Sequence, residues 1–209
     1  MTGQHEEHGQ HEQHEGVAGV PAGEGSPEWY AWMAQRLTTA GPVGDDPLFD
    51  HDRLDAVAAL RADDVEHVQP LVADLLAHAA DQAGAPLAML NVVLTGVQVI
   101  AGAHGLSGWM AEARATPAEW SLCARVVRSG AELVVPDMAA DPTTSDNPLT
   151  TVDGLRTYAG VPVRTRDGRV LGSVCVMGPE ARVFSEGDLA ALRDAAALAA
   201  ARLEDADGA

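Results

Sequence analysis

Two stretches of strand-like sequence, each folded back on itself by a turn pair, limit what this chain can become. Leu87 to Leu94 and Val97 to Ala103 are rich in apolar and β-branched residues and are separated by Thr95-Gly96, so they read as a hairpin. Thr157 to Val163 and Arg169 to Met177, joined by a turn at Asp167-Gly168, form a second hairpin, and Ala131 to Val135 is a short strand before it. Hairpins at both ends of the strand set call for antiparallel pairing, which has no need of the crossover helices of a parallel sheet.

Helical segments surround these strands. Arg53 to Arg61 carries Leu54, Val57, Ala58 and Leu60. After Asp63-Asp64, Val68, Leu71, Val72, Leu75, Leu76 and Ala79 repeat with helical period over Val65 to Ala83, and Gly84 ends the run. Thr116-Pro117-Ala118-Glu119 has the form of a capping box, which predicts a helix to about Ser129, stopped by Gly130, with Trp120, Cys123, Ala124 and Val127 on one face. Ser185 to Asp188 caps a last helix to about Leu203, striped by Leu189, Leu192, Ala196, Ala199 and Leu203. Helices segregated onto one face of an antiparallel sheet define an α+β fold.

The flanks differ in character. Residues 1–27 are rich in His, Glu, Gln and Gly without hydrophobic periodicity and are expected to form a disordered tail. In this tail His5, His8, His11 and His14 recur at every third position, but glycines and glutamates interrupt any helix that would align them, leaving weak, adventitious metal affinity. Ser26-Pro27-Glu28 then opens an amphipathic helix, Trp29 to Leu37, within an N-terminal helix and linker spanning 28–49. The core domain is expected over 50–204, with 205–209 as a short tail.

Charge and cysteine content exclude several classes. A net charge of -18, with all thirteen basic residues arginine and scattered, argues against nucleic acid or an acidic membrane surface as a partner. No stretch approaches the ~18 apolar residues of a membrane span, and the amino terminus does not resemble a secretory signal, so a cytoplasmic location is expected. The two cysteines, Cys123 and Cys175, are far apart in sequence and lack metal-ligand spacing, and they read as reduced thiols. Cys123, on the apolar face of its helix, reads as a small core residue. Pro136 to Gly154, dense in Asp, Pro, Thr and Asn, is long for a connection in a compact domain and so is expected either to cover a site or to be disordered.

Taken in order, TPAEWSLCARVV, AELVVPDMAADPTTSDNPL, GLRTYAGVPVRTRDGRVLGSVCVMG and ARVFSEGDLAALRDAA resemble the landmarks of a bacterial GAF domain, and the Arg53 to Arg61 helix resembles one that often precedes it. That resemblance implies an antiparallel sheet of five to six strands, terminal helices on one face and a ligand pocket on the other, beneath the segment Asp137 to Asp153. Asp137, Asn147, Arg156, Tyr158 and Cys175 are the expected pocket residues. Arg156 is suited to hold a carboxylate or phosphate and Tyr158 to stack or hydrogen-bond. Strand alternation puts Ser173 and Cys175 on one side and Val174 and Val176 on the other, without saying which side meets the pocket.

The function this implies is a sensory, regulatory module that binds a small molecule or a signalling protein and is not an enzyme, with the cofactor unassigned. No output domain is expected after the last helix, and the signal is expected to leave through a partner or a homodimer. Two alternatives stay open. Some GAF relatives reduce free methionine sulfoxide with pocket cysteines, a role Cys123 or Cys175 would have to fill. Others carry haem or a chromophore, for which His104 is the one histidine in the strand region.

Overall fold

The computed structural model describes residues 46–206. The expected His-rich tail, the helix Trp29 to Leu37 and the last three residues lie outside the described residues.

A 3₁₀ turn, Pro47–Phe49, leads into α1 (His51–Ala59) and α2 (Val65–Ala83). The carboxylates of Asp50 and Asp64 cap these helices by accepting from the N–H groups of Arg53 and His67, and Gly84, with φ of 56°, ends α2 in the left-handed conformation that favours glycine. The strands β1 (Leu87–Val93) and β2 (Val97–His104) form the first hairpin, followed by α3 (Gly108–Ala113), β3 (Ala115–Pro117), α4 (Leu122–Ser129) and β4 (Leu133–Val135). A one-turn helix, α5 (Pro148–Thr151), precedes the second hairpin, β5 (Thr157–Arg164) and β6 (Val170–Gly178), and α6 (Glu186–Ala206) closes the chain.

All six strands join one sheet in the order β3-β2-β1-β6-β5-β4, with every neighbouring pair antiparallel. The sheet is covered on both faces, and strand alternation sorts its side chains between two cores. Leu90, Val92, Val161, Val174 and Val176 pack under α2 and α6, against Val72, Leu76, Leu192, Ala196 and Leu203. Met89, Val93, Ile100, Tyr158, Cys175 and Met177 point the other way, toward α4 and the segment 136–155. Each fully buried Val or Leu contributes ~1.5–3 kcal/mol.

The helix expected from Thr116 begins later. Ala115, Thr116 and Pro117 instead pair with Val99, Gln98 and Val97 as the edge strand β3, where a proline is tolerated because no inner ladder needs its N–H. Ser121 takes over as the cap, its Oγ accepting from the Ala124 N–H at 2.9 Å. The short helix α3 was not expected from the sequence, and none of its residues is buried.

Arg53 ties the amino-terminal turn to the sheet. Only 4% exposed, it donates to the carbonyls of Pro47 (3.0 Å), Leu48 (2.7 Å) and, at the end of β1, Val93 (2.6 Å). Replacing Arg53 with Met takes this donor from the Leu48 and Val93 carbonyls, while Pro47 keeps the Asp50 N–H, and we expect a loss of about 2–3 kcal/mol in urea unfolding, without loss of the folded state.

Candidate functional site

The pocket face of the sheet carries polar residues in the middle of apolar strands. Asn91 sits in β1 next to an irregularity where pairing with β2 passes from Leu90–Gly102 to Asn91–Ile100, leaving Ala101 unmatched. Ser173 and Cys175 alternate with Val174 and Val176 on β6, and it is the Ser173–Cys175 side that faces α4. Gln98 and Thr116 come from the β2–β3 edge and Ser121 from the cap of α4.

Together they enclose a cavity of about 20 Å³, the space of roughly one water molecule. Its apolar wall is Met89, Ile100, Leu122, Leu149 and Met177, with Met110 of α3 at the rim. Its polar wall is Asn91, Gln98, Thr116, Ser121, Cys123, Tyr158 and Cys175. Ser121 Oγ donates to Gln98 Oε1. Asn91 Oδ1 and Thr116 Oγ1 are buried with no hydrogen-bond partner, a cost of about 1–3 kcal/mol each that folded proteins seldom leave without a reason.

At the cavity wall the two cysteines meet. Their Sγ atoms are 3.7 Å apart, unbonded and buried, one from α4 and one from β6. The Asn91 amide donates to both, at 3.4 Å to Cys123 and 3.3 Å to Cys175, and the Tyr158 hydroxyl donates to Cys123 at 3.3 Å. Burial opposes ionisation of Cys123, yet the hydrogen bonds reaching it from Cys175, Tyr158, Ser173 and Asn91 outweigh that penalty and hold it below the usual thiol range. Cys175 is pushed up, first by its hydrogen bond to Cys123 and then by burial. Burial, followed by the charges of Cys123 and Cys175, pushes Tyr158 well above the usual phenol range. Of the two thiols, Cys123 is therefore the one whose surroundings favour the thiolate.

Tyr158 reaches Cys123 because Gly160 lets it. A Cβ at position 160 would lie 2.1 Å from the Tyr158 hydroxyl, so the phenol lies directly over the glycine two residues along the strand.

The other expected pocket residues are placed elsewhere. Arg156 is 40% exposed at its side chain and forms a two-pronged ion pair with Asp137, Nε to Oδ1 at 2.9 Å and Nη2 to Oδ2 at 2.7 Å. Asn147 caps α5 by accepting from the Leu149 N–H and donates to the Trp120 carbonyl at 2.8 Å. These three hold the covering segment in place and do not line the cavity, whereas Tyr158 and Cys175 do. The segment is anchored by Met138, Thr144 and Leu149, and by Leu155 just after it, all buried. His104 is exposed at the end of β2, away from the cavity. Among the described residues no cluster of three or more His, Cys, Asp or Glu is arranged to hold a metal.

A larger depression, about 480 Å³, lies at the sheet end among Gly84, Pro86, Thr157, Gly178 and Arg182. Of its polar side chains, Arg182 and Thr157 are already engaged. Arg182 pairs with Asp188 at 3.3 Å and lies over the Phe184 ring, and Thr157 Oγ1 is within 3.4 Å of the Val135 and Arg182 carbonyls.

A six-stranded antiparallel sheet with α2 and α6 on one face, and α4 over a covered polar cavity on the other, defines an α+β module. The family model for the GAF domain matches residues 62–204, inside the expected 50–204, and the chain belongs to the GAF domain family. Over 134 residues it is 34% identical to a cyclic di-GMP phosphodiesterase of Pseudomonas aeruginosa; the match covers 62% of this chain and 22% of that protein, so it spans about a fifth of the relative's length. Among solved structures the fold is similar to a type II free methionine-R-sulfoxide reductase from Thermoplasma acidophilum, at a TM-score of 0.55 and 17% identity over 68% of this chain and 95% of that one. It is also similar to the GAF domain of an Acinetobacter phosphoenolpyruvate-protein phosphotransferase, at a TM-score of 0.54 and 15% identity over 77% and 98% of the two chains. At these identities the structural likeness speaks for the fold alone.

Replacing Gly160 with Ala drives a methyl group into the Tyr158 hydroxyl. We expect a loss of about 1–3 kcal/mol in thermal unfolding, together with a rise in the Cys123 pKa as its hydrogen bond from Tyr158 is broken, read from the pH dependence of the thiolate's ultraviolet absorbance in the folded protein.

Proposed function

We propose that this GAF domain is a regulatory, sensory module that works by binding a small molecule in the cavity beneath α4, not by catalysis, and passes the signal to a partner protein or a second copy of itself. The observation that carries this reading is the pair of buried, unpartnered acceptors, Asn91 Oδ1 and Thr116 Oγ1, in the cavity wall. A bound donor satisfies them and recovers the cost of their burial.

The rest of the wall supports the reading. Three methionines, Met89, Met110 and Met177, are the side chains that repack most cheaply around a guest. A ligand larger than one water must displace the cover, and α3, with no buried residue, is the least anchored part of it. One tie between it and the covering segment is the bond from Trp109 Nε1 to Asp153 Oδ1, at 2.7 Å.

For output, the outer face of α6 carries Leu198, half exposed at 50%, a position from which a homodimer is built in our reading. A cytoplasmic setting fits two free thiols, and among the described residues no helix is long and apolar enough to cross a membrane.

The cysteine geometry favours one second reading, a thiol enzyme of the type named by the Thermoplasma structure. Turnover of free methionine sulfoxide with dithiothreitol as reductant would establish it; no turnover leaves the binding reading.

Native mass spectrometry on protein purified without an affinity tag tests the binding function. We expect a small-molecule mass bound to the chain, lost when Asn91 and Thr116 are replaced by Leu and Val in a variant that still unfolds cooperatively. A bare polypeptide mass, with no metabolite in a screening panel raising the melting temperature, rejects ligand sensing in favour of a protein-interaction role.

A further inference from the structure

We propose that Cys123 and Cys175 form a reversible intramolecular disulfide when a small hydroperoxide, of the size of hydrogen peroxide, enters the cavity they line. The inference stands on the thiol pair and does not rest on the ligand-binding reading. Three features of the site lead to it.

Proximity comes first. In a chain with two cysteines placed 52 positions apart, the fold brings their sulfurs to 3.7 Å, from elements packed on each other across the pocket core. Closing that gap to the roughly 2.05 Å of a disulfide takes a movement of under two ångströms shared between two side chains.

The second feature is polarisation. The Asn91 amide donates to both sulfurs, but the Tyr158 hydroxyl donates to Cys123, so a thiolate is better supported at Cys123 than at Cys175. This asymmetry gives the pair an attacking sulfur and a resolving sulfur.

Access is the third. Both thiols are buried, and the cavity beside them has about 20 Å³, the space of roughly one water; hydrogen peroxide, one oxygen larger, needs only a small give of the methionine-lined wall, whereas a glutathione disulfide is far too large to enter. The unpartnered Asn91 Oδ1 and Thr116 Oγ1 accept hydrogen bonds, and a peroxide has two O–H groups to give them.

The chemistry balances. The Cys123 thiolate attacks one peroxide oxygen, the O–O bond breaks, and the departing hydroxide leaves as water with the proton Cys123 gave up. The Cys175 sulfur then displaces hydroxide from the resulting sulfenic acid, its own proton leaving with that hydroxide as a second water. Two thiols lose two electrons to the peroxide, and the products are one disulfide and two waters.

The test uses the full 209-residue chain, reduced and freed of reductant. After exposure to hydrogen peroxide and quenching with catalase, the protein is denatured in an alkylating reagent and weighed intact. The expected wild-type product is a monomer lighter by two hydrogens that takes up no alkyl group, with both thiols recovered after dithiothreitol. Oxidised glutathione added to the folded protein is expected to leave both thiols alkylatable. Cys175→Ser is expected to gain oxygen at Cys123, and Cys123→Ser to react about tenfold or more slowly, since it lacks the polarised thiol.

The proposal is overturned if peroxide leaves both wild-type thiols alkylatable, if the only product is a cross-linked dimer, or if glutathione disulfide oxidises the folded pair as fast as peroxide does. The wild-type measurement decides the matter even where a variant fails to fold. A protein that forms the disulfide yet binds no metabolite separates this inference from the ligand-binding function.

Discussion

The sheet is buried on both faces, and the strict two-residue alternation of its strands is the constraint from which the rest of the structure follows. On one face every central residue is apolar, so α2 and α6 close over Leu90, Val92, Val161, Val174 and Val176 in a packed layer with small alanines at the helix contacts. On the other face the alternation delivers Asn91, Ser173 and Cys175 into the interior, where polar groups must find partners or bear the penalty of burial. A one-residue slip of β6 would exchange Cys175 for Val176 and erase the site. Register is therefore what makes the two faces different in kind, a packed helix layer against a polar cavity.

The polar face solves its burial problem only in part. Sulfur is a weak hydrogen-bond acceptor, yet Asn91 gives it both amide protons and leaves its own carbonyl oxygen without a partner. A core built for stability alone would place an apolar residue of similar size at 91, at little or no cost. Retaining asparagine there trades stability for a polarised sulfur and a free acceptor in the same few ångströms, which is the kind of compromise found at functional sites.

Much of this was legible in the sequence, for identifiable reasons. The hairpins were visible because Thr95-Gly96 and Asp167-Gly168 break runs with strand character, and α2 because its apolar spacing persists for five turns and ends at Gly84. The start of α4 was not, because the capping chemistry of Thr116-Pro117 is local while the edge of β2, which claims those residues for a strand, is a tertiary partner. Arg156 and Asp137 drew attention as polar groups near the pocket, but two opposite charges able to pair with each other at the surface have no reason to enter a cavity. The cysteine pair left no local trace, since proximity across 52 residues is a property of the fold. The one signal that could have led to it is Asn91, a lone amide in the run Leu87–Val93, which drew no attention in the sequence.

An event at the thiol pair is well placed to be felt on both sides of the sheet. Cys123 lies one turn beyond Trp120, whose carbonyl is held by Asn147, so any shift of the first turn of α4 loads the bond that fixes α5 and the covering segment. Cys175 is flanked on β6 by Val174 and Val176, which form part of the seat of α6. Because that layer is close-packed, it has little freedom to absorb a displacement locally, and a movement of β6 must be taken up by the helix or by the strand's own register. The cover and the outer helix, the two surfaces a partner can reach, thus share one central strand and one buried pair of sulfurs.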